Sequence, residues 1–174
     1  MSDLPDGIDL DRHRDFKGKR TGQWLRHGFL LLLTAFVVAA LLNAFGARPD
    51  TSEASSSVAS LRVTSPERVR GGLLYQARFQ IHAFEPIGAP TLVLDKGWIE
   101  ETTINTLEPE PADTTSDAHS LKVRYPPLQP GQTLDVYVSL QANPNDIGSH
   151  DATVALYDAD RPLVTVPHTQ FNFP

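Results

Sequence analysis

The distribution of apolar and polar positions divides the chain into two regions with different periods. From Gly28 to Ala47 twenty residues carry no charge at all, and polar character is confined to Thr34 and Asn43. At about 1.5 Å rise per residue, such a run reaches roughly 30 Å, the thickness of a bilayer's hydrocarbon core. It has no polar face, which a helix packed on a soluble core would need. Beyond it, apolar and polar residues alternate in short runs. In Leu73 to Phe84, Leu73, Tyr75, Ala77, Phe79, Ile81 and Ala83 share one side, while Leu74, Gln76, Arg78, Gln80, His82 and Phe84 share the other. A period of two is the mark of a half-buried strand.

The same pattern recurs along the chain. Thr133 to Gln141 predicts a strand with Leu134, Val136, Val138 and Leu140 facing inward, and Leu121, Val123 and Tyr125 predict another. Leu92 with Leu94, and Ser60 to Thr64, add two shorter ones. Trp98 to Leu107 is rich in β-branched residues and reads as a strand, with room for one helical turn around Trp98. Ala152 to Tyr157 and Leu163 to Phe171 flank the turn formers Asp158 to Pro162, so they predict a hairpin. Gly71-Gly72, Pro86 with Gly88, Pro109 to Asp117, Pro126 to Gly131 and Asn143 to Gly148 separate the runs. The expected fold class is therefore all-β, an antiparallel sandwich of seven or eight strands, preceded by one N-terminal transmembrane α-helix.

The expected organisation follows. Residues 1–26 form a short, polar, disordered cytoplasmic tail; 27–47 a transmembrane signal anchor; 48–59 a flexible stalk, from the small polar residues Pro49 to Ser57; and 60–174 the sandwich. Lys17, Lys19, Arg20 and Arg26 precede the apolar run, and a basic flank marks the cytoplasmic side, which leaves the C-terminal domain extracytoplasmic in the cell membrane. Trp24 stands where an interfacial aromatic anchor belongs. A cleaved secretory signal with a soluble secreted domain is the alternative, with Ala44 and Gly46 offering a small-residue cleavage site. Its apolar core, however, would be shorter than this one.

The segment Leu128 to Val136, a Pro-Gly turn feeding an alternating strand, is followed by Asn143-Pro144, Gly148 and the Val154 to Leu156 run. This arrangement resembles bacterial membrane-anchored immunoglobulin-like β-sandwich domains. The resemblance spans about Ser60 to Pro174 and is architectural, and the Cys-Trp-Cys pattern of antibody domains is absent. It implies a fold and transfers no functional residue.

Charge and composition narrow the chemistry. The chain's net charge is −6, and from Arg48 onward nine Lys and Arg face sixteen Asp and Glu. An acidic domain is a poor partner for nucleic acid, whose recognition needs a basic face. With no cysteine, disulfides, thiol nucleophiles and zinc-thiolate sites are excluded. Six histidines are present without the HExxH spacing of a zinc protease. Asn143, Asn145, Asp146 and Asp151, with Asp158 and Asp160, offer oxygen ligands for calcium, but Asn and Asp equally serve turns through local hydrogen bonds, and that is the expectation here. Glu100 and Glu101 point to opposite faces of a strand and cannot pair for acid–base work, and Glu108 and Glu110 lie in a Pro-rich loop. No GxSxG, SxxK or phosphate-binding glycine motif occurs.

No enzyme activity and no cofactor is therefore expected. The apolar residues expected on exposed faces, Leu74, Phe84, Trp98 and Tyr137, are the candidate protein-binding residues. The expected function is a membrane-tethered binding or complex-assembly module with a protein partner in the membrane or envelope. A cell-wall or carbohydrate-binding module is the alternative, and it requires Trp98 to be exposed beside Tyr137.

Overall fold

The computed structural model describes residues 19–42, 49–100, 102–145 and 147–173, and the chain divides into two units after Gly46. In the first unit, helix α1 spans Lys19–Leu41. Its stretch Gly22–Leu41 has a mean hydropathy of 1.8, and by length and composition it is able to cross a membrane. Thr34 returns its hydroxyl to the Leu30 carbonyl at 2.8 Å, so the polar group inside the run is satisfied by the helix itself. The expected cytoplasmic tail up to residue 18, Asn43 and the Ala44–Gly46 cleavage site lie outside the described residues.

The second unit is the expected antiparallel sandwich. One five-stranded sheet has the order β1 (Pro49–Ser55), β2 (Ala59–Pro66), β4 (Leu74–Ala83), β9 (Thr133–Ala142) and β6 (Thr102–Glu108). The other has the order β12 (Arg161–Val166), β11 (Val154–Asp158), β5 (Pro90–Asp95), β8 (Ser120–Arg124) and β7 (Asp113–Ser116). A third sheet joins β10 (Gly148–Asp151), β13 (Thr169–Phe173) and β3 (Arg68–Arg70); the β13–β3 pairing is parallel. One turn of helix, α2 (Lys96–Ile99), follows β5.

The alternation read from β4 holds in the structure. Tyr75, Ala77, Phe79, Ile81 and Ala83 are buried, as are Val136, Val138 and Leu140 on its neighbour β9. Leu92, Leu94, Val123, Val154, Leu156 and Val166 close the same core from the second sheet. Each such side chain contributes about 1.5–3 kcal/mol on leaving water, which suffices to hold two sheets together without a cross-link. The hairpin read around Asp158 to Pro162 is β11–β12, and its turn places Ala159 at φ 52°.

Three expectations change. The strands outnumber the seven or eight expected: β1, β3, β7 and β10 fall outside the expected runs, β7 (DTTS) and β10 (GSHD) because they are polar and carry no alternating apolar signal, and the run Leu163 to Phe171 divides into β12 and β13 in different sheets. The stretch expected as a flexible stalk is largely strand: Pro49–Ser55 pairs with β2 in unbroken register from Pro49–Pro66 to Ser55–Ser60. Pairing needs backbone hydrogen bonds rather than apolar side chains, and an edge strand tolerates polar residues well. Finally, the strand read from Trp98 begins only at Thr102. Asp95 accepts the Gly97 N–H at 3.0 Å and caps α2, and this turn carries Trp98 into the core.

Candidate functional site

The outer face of the first sheet is where pairing register assembles a site. On the polar side of β4 stand Leu74, Gln76, Arg78, Gln80 and His82, alternating with the buried set. Register sets Arg78 opposite Tyr137, Gln80 opposite Asp135, His82 opposite Thr133 and Leu74 opposite Gln141 on β9. On the other flank, Arg62 of β2 lies opposite Gln80 and opposite Glu53 of β1. Because cross-strand neighbours stand about 5 Å apart, side chains of this length must meet.

They form one chain of contacts across four strands. Arg62 donates to Glu53 Oε2 from Nη2 at 2.8 Å and from Nε at 3.0 Å, and reaches Gln80 Oε1 from Nη1 at 3.5 Å. Gln80 Nε2 donates to Asp135 Oδ1 at 3.1 Å. The same oxygen accepts from Arg78 Nη2 at 2.9 Å and Nε at 3.1 Å. The Arg78 guanidinium then lies over the Tyr137 ring, 5.6 Å from its centre. Nearby, His82 Nδ1 and Thr133 Oγ1 are 2.9 Å apart, and Thr51 and Thr64 hydroxyls meet at 3.2 Å. Glu53, Ser60, Arg62, Gln80, His82 and Thr133 line a shallow groove of about 260 Å³.

These ion pairs are about half exposed, and pairs open to solvent contribute at most about 1 kcal/mol to stability. The ladder therefore does little to hold the fold. It does orient two guanidinium groups, an amide, two carboxylates and a phenol on one face of the sheet, as a directional hydrogen-bonding platform. The donors and acceptors are nearly balanced in charge, which suits a mixed-charge protein surface better than a polyanion.

Three of the four candidate binding residues fall on this face, though not as one apolar patch. Leu74 is 64 % exposed at one end of β4. Phe84 is 48 % exposed just past the other end, edge-on to His82 with ring centres 5.1 Å apart. Ten residue steps of extended chain separate these two, roughly 33 Å. Tyr137 lies between them, half-buried beneath Arg78. Trp98 does not belong to the face, which corrects its assignment as a binding residue. It is 0 % exposed, edge-on to Phe79 at 5.3 Å and stacked on His168 at 5.8 Å. The polar members Glu53, Arg62, Arg78, Gln80 and Asp135 were not singled out from the sequence. The β4 alternation placed Arg78 and Gln80 on the outer face, but only register brings Glu53 and Asp135 to them.

The remaining sequence candidates are turn and edge residues. Asn143 Oδ1 accepts the Asn145 N–H at 3.1 Å within its own turn, whereas Asp158 Oδ1 accepts the N–H of Ala89, a distant segment, at 2.8 Å; both serve backbone groups. Asp146 and Glu101 lie outside the described residues. Among the described residues no three His, Asp or Glu side chains converge as a metal site would require. Glu108 is exposed at the end of β6, opposite Tyr137, and Glu110 is exposed in the following loop.

No family model matches the chain, and no curated protein matches it. Solved structures resembling it in fold include a chain of the CaDoc0917–CaCohA2 complex at pH 5.5, 13% identical with a TM-score of 0.43, covering 61% of this chain and 94% of that one. A non-cellulosomal cohesin from the hyperthermophilic archaeon Archaeoglobus fulgidus is 16% identical with a TM-score of 0.43, over 63% of this chain and 88% of its own. CaCohA2 from Clostridium acetobutylicum, in its solution structure, is 12% identical with a TM-score of 0.44, over 60% and 84%. Likenesses at this level carry no argument about function.

Proposed function

We propose that this chain is a single-pass membrane protein whose extracytoplasmic sandwich binds a protein partner through the outer face of its first sheet, without catalysis. The observation that carries the reading is the exposed ladder Glu53–Arg62–Gln80–Asp135–Arg78–Tyr137, an ordered polar surface that contributes little to the fold. Exposed Leu74 and Phe84 give this surface apolar contacts at its two ends. Protein interfaces commonly combine such anchors, with Arg and Tyr enriched at their centres.

The membrane part of the reading rests on the length and apolarity of Gly22–Leu41 and on the basic residues before it. Tethering concentrates the domain near membrane or envelope partners, so a modest affinity serves. The wall-binding alternative loses its aromatic platform, since Trp98 is buried.

Cross-linking in intact cells with a tagged full-length chain tests the reading. A specific membrane or envelope protein should be captured by the wild type and lost in an Arg78→Glu/Tyr137→Ala variant that still folds. Equal capture by that variant refutes the assigned face. Release of a shortened chain into the soluble fraction refutes the tether and supports the cleaved-signal alternative.

A further inference from the structure

The third sheet is built with its polar side inward. His168, just before β13, and Gln170 and Asn172 within it are 4 %, 4 % and 1 % exposed, while Phe171 between them is 42 % exposed. A strand of a hydrophobic sandwich normally shows the reverse. Gln170 Oε1 accepts from the Tyr75 hydroxyl at 3.0 Å, and the His168 ring lies nearly parallel to Trp98, at 15°. Five buried polar atoms, on Trp98 and along residues 168–172, have no hydrogen-bond partner among the described residues: Trp98 Nε1, both ring nitrogens of His168, Gln170 Nε2 and Asn172 Oδ1. Unpaired buried polar groups are unfavourable, so this seat is a weak point of the core and favours local opening.

β13 is the central strand of its small sheet, paired with β10 from Thr169 to Asn172 and with β3 from Phe171 to Phe173, and three further backbone bonds tie its margins. Ala152 donates to the His168 carbonyl, Phe171 to the Glu67 carbonyl and Gly71 to the Phe173 carbonyl, each at 2.8 Å. Its two partners in the sheet, β10 and β3, are four and three residues long. The charged groups acting on His168 are Asp50 of β1 and Glu67 in the β2–β3 connection, both exposed carboxylates. His150 of β10 stands opposite Gln170, and Asp151 takes a hydrogen bond from Thr169. Arg68 and Arg70 of β3 are exposed on either side of buried Val69.

We propose that His168 is a proton-sensitive latch: in mild acid its ring gains a charge, leaves the Trp98 seat for Asp50 and Glu67, and releases β13. A neutral ring fits an apolar stack; an imidazolium there has two donors and no acceptor, and the carboxylates that would accept them are on the surface. Burial holds the ring's pKa below its ordinary 6.5, against the opposing pull of Asp50 and Glu67. The sign follows. The docked state favours the neutral ring, so the latch holds above pH 6.5 and weakens as pH falls toward the lowered docked value. This device does not depend on the partner-binding reading.

The test uses the full chain in detergent micelles, with Trp24→Phe so that Trp98 is the sole indole, and hydrogen exchange followed by mass spectrometry from pH 7.5 to 5. After correction for intrinsic exchange, opening of 167–173 and 68–70 should rise by up to about tenfold per pH unit below about 6.5, with β4 and β9 unchanged. Trp98 emission should shift to the red over the same range. His168→Phe keeps a planar stack and should hold protection level at every pH; if that variant does not fold, His168→Gln gives the same reading. Flat protection in the wild type overturns the latch. So does a pH-dependent loss that persists without His168, which would place the sensing group at His150, Asp50 or Glu67.

Discussion

Replacing Gly97 with alanine places a known obstacle against a pinned backbone. A Cβ at this position would stand 2.0 Å from the Asp151 carbonyl oxygen, 2.9 Å from its carbonyl carbon and 3.1 Å from Ala152 Cα. Comfortable carbon contacts begin at about 3.5 Å, so one side must retreat by more than an ångström. Neither side is free to do so. Asp95 accepts the Gly97 N–H at 3.0 Å and the Thr153 N–H at 2.9 Å, the Asp95 N–H returns to the Thr153 carbonyl at 3.2 Å, and Ala152 donates to His168. Alanine gains about 0.5–1 kcal/mol from helix propensity and a stiffer unfolded chain. Overpacking costs about 1–3 kcal/mol or more, and the upper end applies where the obstacle is backbone. The net expectation is a loss of about 2 kcal/mol or more. For a urea slope of about 1–3 kcal/mol per molar, the midpoint falls by roughly 1 M. Urea unfolding followed by Trp98 fluorescence in the Trp24→Phe background measures it. Gly88→Ala is the control, because its Cβ would meet only Asp158 Oδ1 at an ordinary 3.6 Å, and it should stay within about 0.5 kcal/mol of wild type. If the two variants unfold at the same midpoint, the close approach at α2 is wrong.

Asp95→Ala removes the acceptor of two backbone N–H groups and should destabilise by about 2–4 kcal/mol in the same urea assay, with Asp95→Asn, which keeps one acceptor oxygen, falling between. Phe79→Ala, at a fully buried ring packed on Trp98, should cost about 3–5 kcal/mol, whereas Leu74→Ala on the exposed face should cost under about 0.5 kcal/mol; similar losses from both would contradict the assigned faces. Burial pushes the Tyr75 and Tyr125 phenols up from 10.0 to about 12. Folding thus favours their neutral forms, and the stability they contribute is complete below pH 10 and lost as pH rises toward 12. In a base titration by phenolate absorbance and circular dichroism, two of the four tyrosines should ionise only as the strands are lost; ionisation of all four near pH 10 with the fold intact would refute this.

Period alone determined the strands that carry alternating apolar residues and which side of each is buried. Tyr75 to Ala83 and Val136 to Leu140 read correctly because alternation is a local property of the strand, and the apolar run before them read as a helix for the same reason. Four outcomes were decided only by tertiary structure. PDTSEAS reads as a stalk, yet it pairs as β1, because a polar segment becomes a strand when a partner edge meets its backbone groups. Trp98 reads as a surface aromatic on a strand, yet the Asp95 cap and the close approach at Gly97 turn it into the core. The Glu53–Arg62–Gln80–Asp135–Arg78–Tyr137 ladder joins residues from four strands, and the inward polar seat of β13 depends on Tyr75 and Trp98 lying beneath it. No window of sequence contains these pairings: they are set by register and packing between segments up to 95 positions apart, and alternation within a strand is silent about which strand lies next to it.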